Sequence, residues 1–341
     1  MAEYPINVYL DRNDAVWTSQ RYYMDQLRDQ MASDRRVRVV EGVVDADVVH
    51  LNFLNPTGRV VWGKRSRRRH VRDVGRVFLD SETPVVVTEH GVEEFSDVGK
   101  SMYVDAHPAL QTVADAAKRL GSSAVGRRVD AIIAISSIDK RFLVNAGFPG
   151  DTVHLIPHGV HERFLSRATM TDTDFVLHVS KCSPHKNPAA LLETARRLDT
   201  TLKVVGWDWQ QKYGEELTAI DGVEVLGYVD RDRLLTLYRS ASVLYLPSIY
   251  EPFGLPILEA MASETPVVAS INSAGPDIGS GCIDLVDPDD TDEHIAAIER
   301  LLDDEQYRRE RAGNARARAE SFTWDRTAAS TIAVYEQVVA G

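Results

Sequence analysis

The segment Ser248-Ile-Tyr-Glu-Pro-Phe-Gly-Leu-Pro-Ile-Leu-Glu-Ala260 decides the fold class of this chain. An apolar run over residues 242–247 precedes it and predicts a buried strand. Pro256 suits the first turn of a helix, which we expect to continue to about Ala262. Residues 266–269 predict the next strand, so the segment lies at the strand-to-helix bend of a βαβ unit. In an open parallel sheet that bend lies at the carboxyl edge, where ligands bind.

Two carboxylates, Glu251 and Glu259, flank the turn in this segment. We expect Glu251 on the loop and Glu259 in the first helical turn, with the amides around Gly254 and Leu255 directed at the crevice. Backbone amides donate hydrogen bonds to phosphate oxygens, and carboxylates accept hydrogen bonds from hydroxyls. The expected ligand therefore carries both an anionic group and several hydroxyls. In a chain that is 26% charged, two glutamates also fit a solvated helix. The Pro-Phe-Gly-Leu-Pro insert in a strand–turn–helix setting favours the ligand site.

The same residues resemble the Glu-x7-Glu motif of the family-4 retaining glycosyltransferases (glycosyl transferases group 1). Flanking sequence agrees at three places, LTLYRSASVLYLP (235–247), EAMASETPVV (259–268) and LVDPDD (285–290). The resemblance implies the α/β GT-B fold, with two facing Rossmann-like domains, parallel sheets and a C-terminal helix that crosses back to the first domain. It is dense from about Phe175 to Ala340 and thinner from Asp47 to Val160. One departure is Glu264, because relatives usually have a helix-terminating Gly there.

Alternating strand and helix patterns predict two domains built around mostly parallel sheets. The predicted strands are residues 6–10, 37–40, 48–52, 85–88, 131–136 and 153–156 in the first half, and 175–179, 202–205, 223–226, 242–246 and 267–269 in the second. The polar segment 166–174 is read as the linker. We therefore expect an acceptor-side domain over residues 1–165, completed by a crossover helix at about 325–341. A nucleotide-sugar-binding domain is expected over residues 174–324.

The loop Ser180-Lys-Cys-Ser-Pro-His-Lys186 carries the second set of candidate residues. It lies between a predicted strand and a helix that starts near Pro188, with Asn187 as the expected N-cap. Two lysines at the mouth of a parallel sheet suit a diphosphate, because fixed cations stabilise a charged leaving group. Solvated surface lysines are the alternative, and the two glutamates at the same edge favour the site. Lys186 matches the family Lys, whereas Lys181 stands where relatives have Arg and lacks its bidentate geometry.

Histidines are the candidate residues of the first half. Thr88-Glu-His-Gly91 follows a predicted strand and resembles the N-domain His that reaches the donor sugar, so His90 is assigned that role by resemblance. A surface loop His is the alternative. His50 is expected in the core or at a cap. His158, in a turn that resembles the family's Pro-Asn-Gly, is expected to be structural. The loop at 14–18 lacks the Gly pair that many relatives use near phosphate.

The resemblance implies transfer of a hexosyl group from a nucleotide-diphosphate sugar to a hydroxyl acceptor, with retention of configuration. Glycolipids, lipid-linked glycans and polysaccharide precursors are the acceptor classes considered. It implies no metal, and no cofactor besides the donor. The residues assigned to catalysis are Glu251, His90 and Lys186, and those assigned to donor binding are Lys181, Lys186, Glu251, Phe253, Gly254, Leu255 and Glu259. A nucleotide-sugar epimerase of similar fold and a non-catalytic sugar-nucleotide-binding protein stay open as alternatives.

Composition excludes several classes of protein. At 341 residues the chain is long for a single core, and two domains are expected. Two cysteines are too few for a disulfide framework and favour a cytoplasmic location. The N-terminus predicts no signal peptide, and no apolar run approaches the roughly 20 residues that span a bilayer. A net charge of −12 argues against a nucleic-acid binder.

Residues 63–76 (GKRSRRRHVRDVGR) are strongly basic within this acidic chain. Such a segment suits the anionic inner face of a membrane or a phosphorylated lipid acceptor. A solvated helix face is the alternative and is slightly favoured. A peripheral membrane contact is therefore kept as one reading of the segment.

Patterns typical of other chemistry are absent or misplaced in the sequence. Residues 172–174 (DTD) mimic a metal-binding Asp-x-Asp, but they precede a predicted strand where that motif should follow one. No Gly-x-Gly-x-x-Gly follows a strand, so a nicotinamide-binding fingerprint is not present. The ligand pattern of a zinc hydrolase is also missing.

Overall fold

Two parallel sheets organise the chain in its computed structural model, which describes residues 4–11, 19–52, 82–91, 128–166 and 174–341. Contacts divide the chain into one unit made of Met1–His158 and Trp324–Gly341 and a second unit made of Gly159–Thr323. The loop at 14–18, the basic segment 63–76 and most of the predicted linker lie outside the described residues. Among the residues described, no helix is both long enough and apolar enough to cross a bilayer.

The first unit contains a six-stranded sheet in the order β2-β1-β3-β4-β5-β6, and all five strand pairs are parallel. Its described elements are β1 (Ile6–Leu10), α1 (Ser19–Met31), β2 (Val37–Val40), a 3-10 turn (Val43–Asp45), β3 (Val48–Leu51), β4 (Val85–Glu89), β5 (Ala131–Ala134), α2 (Ser137–Asn145) and β6 (Val153–Leu155). The central strands β3, β4 and β5 are buried along their whole length, as expected for a parallel sheet covered on both faces.

The last helix of the chain, which spans Trp324–Ala340, completes the core of the first unit. Its Tyr335 hydroxyl lies 2.5 Å from Nδ1 of the fully buried His50, and Nε2 of His50 lies 2.7 Å from the Thr88 hydroxyl. The Tyr23 hydroxyl joins the same Thr88 oxygen at 3.1 Å. Burial lowers the pKa of His50 to about 3, so its ring is neutral. The predicted crossover helix is confirmed, and His50, expected in the core or at a cap, lies in the core.

The second unit contains a six-stranded parallel sheet in the order β12-β11-β10-β7-β8-β9. Its elements are α3 (Glu162–Leu165), β7 (Phe175–Val179), a 3-10 turn (Pro184–Lys186), α4 (Pro188–Arg197), β8 (Thr201–Val205), α5 (Trp209–Thr218), β9 (Val223–Gly227), α6 (Arg231–Ser240), β10 (Val243–Leu246), α7 (Leu255–Ala262), β11 (Val267–Ser270), α8 (Gly275–Gly279), β12 (Asp284–Val286), α9 (Thr291–Asp303) and α10 (Glu305–Ala319). With α11 (Trp324–Ala340) the list is complete for the described chain. Strands β7 and β10 are neighbours in the middle of this sheet, which brings the loops that follow them together.

The division between the units falls after His158, whereas the domain boundary predicted from the sequence lies after residue 165. The short helix α3 lies between these two points and packs within the second unit. Its Phe164 ring meets the Tyr238 ring edge to face at 5.8 Å. Arg239 donates a hydrogen bond of 3.3 Å to the carbonyl of Arg163. The polar segment that was predicted as the linker therefore begins where α3 ends. The boundary between the two units lies before α3.

Helix α7 ends in a left-handed residue although that residue is not glycine. Glu264 has φ 63°, and the amides of Glu264 and Thr265 donate to the carbonyls of Met261 (3.2 Å) and Ala260 (2.9 Å). This is the hydrogen-bond pattern that usually has Gly at the left-handed position. In this chain a glutamate therefore forms the left-handed helix end that glycine usually forms.

Glu264→Gly is therefore expected to raise the free energy of unfolding by about 1 kcal/mol, because glycine adopts this conformation without strain. The partly exposed ion pair of Glu264 with Arg316, 3.8 Å apart, contributes too little to offset the gain. Urea unfolding measures the effect. Ser263→Gly is the matched control, since Ser263 has φ −91° and should lose stability on the same substitution. A Glu264→Gly protein no more stable than the wild type would contradict the strain.

Candidate active site

The loop Ser180–Lys186 after β7 is held from both sides at the carboxyl edge of the second sheet. On the β10 side, the amide of Ile249 donates to the carbonyl of His185 at 2.8 Å. On the β8 side, the indole of Trp209 donates to the carbonyl of Ser180 at 2.8 Å. Gly206 approaches that carbonyl so closely that a Cβ there would lie 1.9 Å from its oxygen. The loop is thus fixed in place before any ligand binds.

Asn187 ends this loop and begins helix α4. Its Oδ1 accepts from the amide of Ala190 at 3.3 Å, which confirms the predicted N-cap. Its Nδ2 donates to the carbonyl of Pro288 at 2.8 Å, and its backbone is left-handed with φ 56°. The cap fixes the position of the neighbouring Lys186 relative to the sheet.

Lys186 and Glu251 form a buried ion pair between the loop after β7 and the loop after β10. Nζ of Lys186 donates to Oε2 of Glu251, and the Ser248 hydroxyl lies 3.4 Å from the same oxygen. The two side chains are 13% and 11% exposed. The backbone of Glu251 is also anchored, because its carbonyl accepts from the amide of Ala274 at 3.1 Å. Two of the residues predicted for the site are therefore in direct contact.

The turn between the two glutamates adopts the strand-to-helix bend that the sequence predicts. Helix α7 begins after Gly254, whose φ of 84° favours glycine. A Cβ at Gly254 would lie 2.9 Å from Ile257 Cδ1 and 3.1 Å from Glu251 Cγ, so a larger residue would press on the Glu251 side chain. Phe253 is buried, and Leu255 is the first helical residue. Gly254, at the start of α7, therefore lies next to the Glu251 side chain of the ion pair.

Glu259 lies in the second turn of α7 and not in the first turn as predicted, because the helix begins at Leu255. Its partner also differs from that of Glu251. The hydroxyl of Tyr238, on helix α6, donates to Oε2 of Glu259 at 3.0 Å. Burial raises the pKa of Glu259 from 4.5 to about 7, and the hydrogen bond from Tyr238 opposes part of that rise. At neutral pH this carboxyl is close to its midpoint, so protonated and ionised forms both exist.

This pKa predicts a pH dependence of stability. Unfolded Glu259 loses its proton near pH 4.5 while the folded protein keeps it to about pH 7, so stability falls as pH rises through this window. Glu259→Gln should lack this fall. Comparing urea unfolding of the two proteins at about pH 5 and about pH 7.5 isolates the carboxyl. Tyr238→Phe should move the fall to higher pH, and identical pH profiles for wild type and Glu259→Gln would refute the raised pKa.

Lys181 lies apart from the Lys186–Glu251 ion pair. Its side chain is 68% exposed, and its Nζ lies 3.7 Å from Oδ2 of Asp208, beyond the carboxyl end of β8. The backbone is held there, because the amide of Cys182 donates to the carbonyl of Trp207 at 2.9 Å. The two lysines of the loop therefore differ in environment: Lys186 is buried against a carboxylate, and Lys181 is solvated.

His90 lies at the end of β4 in the first unit. Its Nε2 is 3.1 Å from Oδ1 of Asn52. The ring stacks on His158 with centroids 5.5 Å apart and meets the edge of Tyr23 at 4.9 Å. Burial lowers the pKa of His90 to about 3, so the imidazole is neutral at physiological pH. His158 is itself buried and stacks on Trp324, in keeping with a structural position.

Two family models match consecutive parts of the chain. The model described as Glycosyltransferase Family 4 matches residues 19–164, and the model described as Glycosyl transferases group 1 matches residues 164–318. The chain belongs to the family-4 glycosyltransferases. The MMP alpha-(1->4)-mannosyltransferase of Mycolicibacterium hassiacum is 34% identical to this family member over 230 residues, which are 63% of this chain and 56% of the relative. The chain spans about half the length of the curated relatives it matches.

Solved structures of similar fold cover nearly the whole chain. Sucrose-phosphate synthase from Thermosynechococcus elongatus superposes with a TM-score of 0.73 at 20% identity, covering 98% of this chain and 99% of that one. HepE from Anabaena, solved in complex with UDP and glucose, gives a TM-score of 0.73 at 16% identity and covers 97% of this chain and 100% of its own. Together with the two parallel sheets, these structures show that this family member has the two-domain α/β GT-B fold.

Two exposed aromatic rings in this family member were not identified from the sequence. Trp207 follows β8 and Tyr228 follows β9, and their rings stack with centroids 4.7 Å apart and planes 28° apart. They are 58% and 62% exposed, although large aromatic side chains usually bury their area. Both lie at the sheet edge that carries the Lys186–Glu251 pair. The signal available in the sequence was an aromatic residue two positions after a predicted strand, Trp207 after 202–205 and Tyr228 after 223–226.

Metal ligands are not grouped in the part of the chain that the structure describes: no three or more His, Cys, Asp and Glu side chains are placed together to hold an ion. The predicted roles of the site residues stay predictions. What the structure adds is their grouping, with Lys186 and Glu251 together, Glu259 with Tyr238, Lys181 with Asp208, and His90 with Asn52.

Proposed function

We propose that this chain transfers a hexosyl group from a nucleotide-diphosphate sugar to a hydroxyl acceptor, with retention of configuration and without a metal. The observation that carries the proposal is the Lys186–Glu251 ion pair at the carboxyl edge of the second sheet. The pair places a cation that can bind a diphosphate in contact with a carboxylate that can accept hydrogen bonds from sugar hydroxyls. Membership of the family-4 glycosyltransferases supports the reaction class, and the complex of HepE with UDP and glucose supports a nucleotide-sugar donor.

Donor binding would exchange the partner of Lys186. A diphosphate brings more negative charge than one carboxylate, so Lys186 would turn from Glu251 to the phosphate oxygens. Glu251 would then accept hydrogen bonds from hydroxyls of the hexose, held in place by its anchored backbone and by Ser248. The amides at Phe253, Gly254 and Leu255 would donate to the donor from the first turn of α7.

The reaction step proposed is a front-face substitution at the anomeric carbon. The bond from that carbon to the diphosphate oxygen breaks, and the acceptor oxygen bonds to the carbon on the same face. The departing diphosphate takes the acceptor's proton. Lys186 would stabilise the negative charge that develops on the leaving group, and a preorganised cation in a largely buried site is effective in this role.

The remaining residues would hold the nucleotide and the sugar. Lys181 would contribute a second, solvent-exposed cation for the diphosphate, and Glu259 would bind the ribose hydroxyls. The stacked Trp207 and Tyr228 offer a flat aromatic surface for the base at the outer strands of the same sheet. His90, from the first unit, would contact the hexose. The acceptor class, a cytoplasmic location and membrane contact through residues 63–76 stay predictions.

A donor screen tests the proposal. Ligands that bind the native state raise its melting point, so UDP, GDP and ADP sugars are compared by thermal shift. The donor that shifts the protein is then incubated with hydroxyl acceptors, with and without EDTA, and the released nucleoside diphosphate and the anomeric configuration of the product are measured. Transfer that survives EDTA is expected. A changed sugar without acceptor would identify an epimerase, and a shift without turnover would identify a binding protein.

A further inference from the structure

His178, in strand β7, is a fully buried histidine that the proposed mechanism does not use. Its Nδ1 lies 2.9 Å from the backbone carbonyl oxygen of Tyr245, on the neighbouring strand β10. Its Nε2 lies 2.8 Å from the hydroxyl of Ser180, the first residue of the loop that carries Lys181 and Lys186. His178 therefore connects the middle of the second sheet to the start of this loop.

The carbonyl of Tyr245 determines the tautomer of His178. A carbonyl oxygen only accepts hydrogen bonds, so Nδ1 of His178 must carry a proton. Burial, assisted by the positive charge of Lys186, lowers the pKa of His178 to about 4, although the hydrogen bond to Tyr245 opposes the shift. The ring is therefore neutral at physiological pH and has its lone pair on Nε2. The hydroxyl of Ser180 must then donate to this nitrogen.

The backbone of Ser180 is held as firmly as its side chain. The indole of the fully buried Trp209 donates to the Ser180 carbonyl at 2.8 Å, and the Ser180 amide donates to the carbonyl of Val205 at 3.0 Å. The rings of His178 and Trp209 meet edge to face, with centroids 5.2 Å apart and planes at 87°. The amide, the carbonyl and the hydroxyl of Ser180 thus all have partners in the protein.

The carbonyl oxygens of the whole loop are engaged in the same way. Each one from Ser180 to His185 accepts a hydrogen bond from the protein. The donors, in chain order, are the Trp209 indole (2.8 Å), the Ser183 hydroxyl (3.4 Å), Lys212 Nζ (3.2 Å), the Lys186 amide (3.0 Å), the Asn187 amide (3.0 Å) and the Ile249 amide (2.8 Å). A carbonyl oxygen facing a diphosphate would repel its negative charge. In this conformation the carbonyl groups are committed to protein donors.

We infer that His178 is a positioning residue, which accepts the hydroxyl hydrogen bond of Ser180 and thereby holds the loop 180–186 in the conformation that receives a diphosphate. The inference rests on the proposed function for the identity of the ligand. It specifies that His178 acts through the Ser180 hydroxyl, since the histidine itself is fully buried. Loss of His178 should therefore weaken binding of the diphosphate group and spare the rest of the nucleotide.

Two substitutions and their combination test the path from His178 to the loop. His178→Leu removes both ring nitrogens, and Ser180→Ala removes only the hydroxyl. Each should weaken nucleoside diphosphate about 3- to 10-fold, the size expected for one hydrogen bond, with affinity for the nucleoside unchanged. The double variant should bind diphosphate no more weakly than the weaker single variant, because both substitutions remove the same hydrogen bond.

Thr194→Val is the matched control. It removes a different buried hydrogen bond of the second unit, the one of 3.0 Å between the hydroxyls of Thr194 and Tyr245, which does not involve the loop. This variant should lose stability and keep the diphosphate affinity of the wild type. Thermal unfolding of every variant separates lost stability from lost affinity.

Calorimetry and nitrogen NMR of the histidine rings provide the readouts. UDP, GDP and ADP are titrated into the wild type, and the one that binds most tightly is compared with its nucleoside on every variant. His178 in the wild type should show the neutral tautomer protonated on Nδ1. Ser180→Ala should shift the Nε2 resonance of His178, because it removes the donor to that nitrogen.

The outcomes separate this inference from the proposed function. A wild-type His178 protonated on Nε2 would overturn the inference and leave the proposed function intact. Losses that multiply in the double variant, or a Thr194→Val protein that binds diphosphate as weakly as His178→Leu, would have the same effect. A wild type that binds none of the three nucleoside diphosphates would overturn the proposed function and the positioning role together. If His178→Leu does not fold, Ser180→Ala decides, and wild-type diphosphate affinity in that variant overturns the inference.

Discussion

Glu251→Ala is expected to lower kcat for glycosyl transfer by at least about 100-fold, or roughly 3 kcal/mol in the activation barrier. The reason is that the Glu251 carboxylate is proposed to hold sugar hydroxyls in the orientation that the transition state needs. Affinity for free nucleoside diphosphate should stay equal or rise, because Lys186 loses the carboxylate that now pairs with it. Transfer should therefore fall while diphosphate affinity does not.

The measurement combines transfer kinetics with calorimetry of nucleoside diphosphate binding. Glu251→Gln keeps the size of the side chain and should also lose transfer, which separates charge from packing. Glu264→Gln is the matched control, since Glu264 is a partly exposed glutamate whose recorded ion partner is Arg316. Near-normal turnover in Glu251→Ala would contradict the proposal that this carboxylate binds the sugar.

Lys186→Ala is expected to weaken nucleoside diphosphate far more than nucleoside, since only the diphosphate carries the charge that Lys186 would bind. A hydrogen bond to a charged group contributes about 1.5–3 kcal/mol, or about 10- to 100-fold in affinity. The loss should reach or exceed the upper end of this range, because Glu251 would be left unpaired and facing the diphosphate. Lys181→Ala should show the smaller loss, because Lys181 is exposed and solvated.

Calorimetry with nucleoside and nucleoside diphosphate tests this prediction on both lysine variants. Removing one partner of a buried ion pair destabilises the fold, so each protein is first checked by thermal unfolding. The double variant Lys186→Met with Glu251→Gln should recover stability, because no buried charge is then left unpaired, and it should still fail to bind diphosphate tightly. Equal diphosphate affinity of wild type and Lys186→Ala would remove this loop from the donor site.

The strands of both sheets were predictable because buried parallel strands are continuous apolar runs. Residues 6–10, 37–40 and 175–179 are strands with the same bounds in the sequence analysis and in the structure. Strand β12 was not predicted, since Asp284–Val286 has only three residues and begins with an aspartate. The left-handed backbone at Glu264 was also not predictable from composition, because the hydrogen bonds that impose it come from the preceding helix.

Contacts between site residues were predictable only for residues that follow neighbouring strands of the sheet. Lys186 and Glu251 follow strands that are neighbours in the sheet, so their common edge follows from the βαβ pattern. The contact of Tyr238 with Glu259, the contact of Asn52 with His90 and the stack of Trp207 on Tyr228 depend on how separate elements pack. The sequence gives no signal for such contacts, because each joins residues on separate elements. The repeats of helices and strands relate only residues within one element.

The packing of helix α11 into the first unit has a consequence for protein synthesis. The ribosome makes Met1–His158 before Gly159–Thr323. Ile332 and Tyr335, which belong to the core of the first unit, emerge only after both segments, and Tyr335 is the partner of His50. Domains generally fold as units while the chain is being made, starting from the N-terminus. In this chain the order is inverted: all residues of the second unit are made before the core of the first unit can close, so the first unit waits with an open core until α11 has been synthesised.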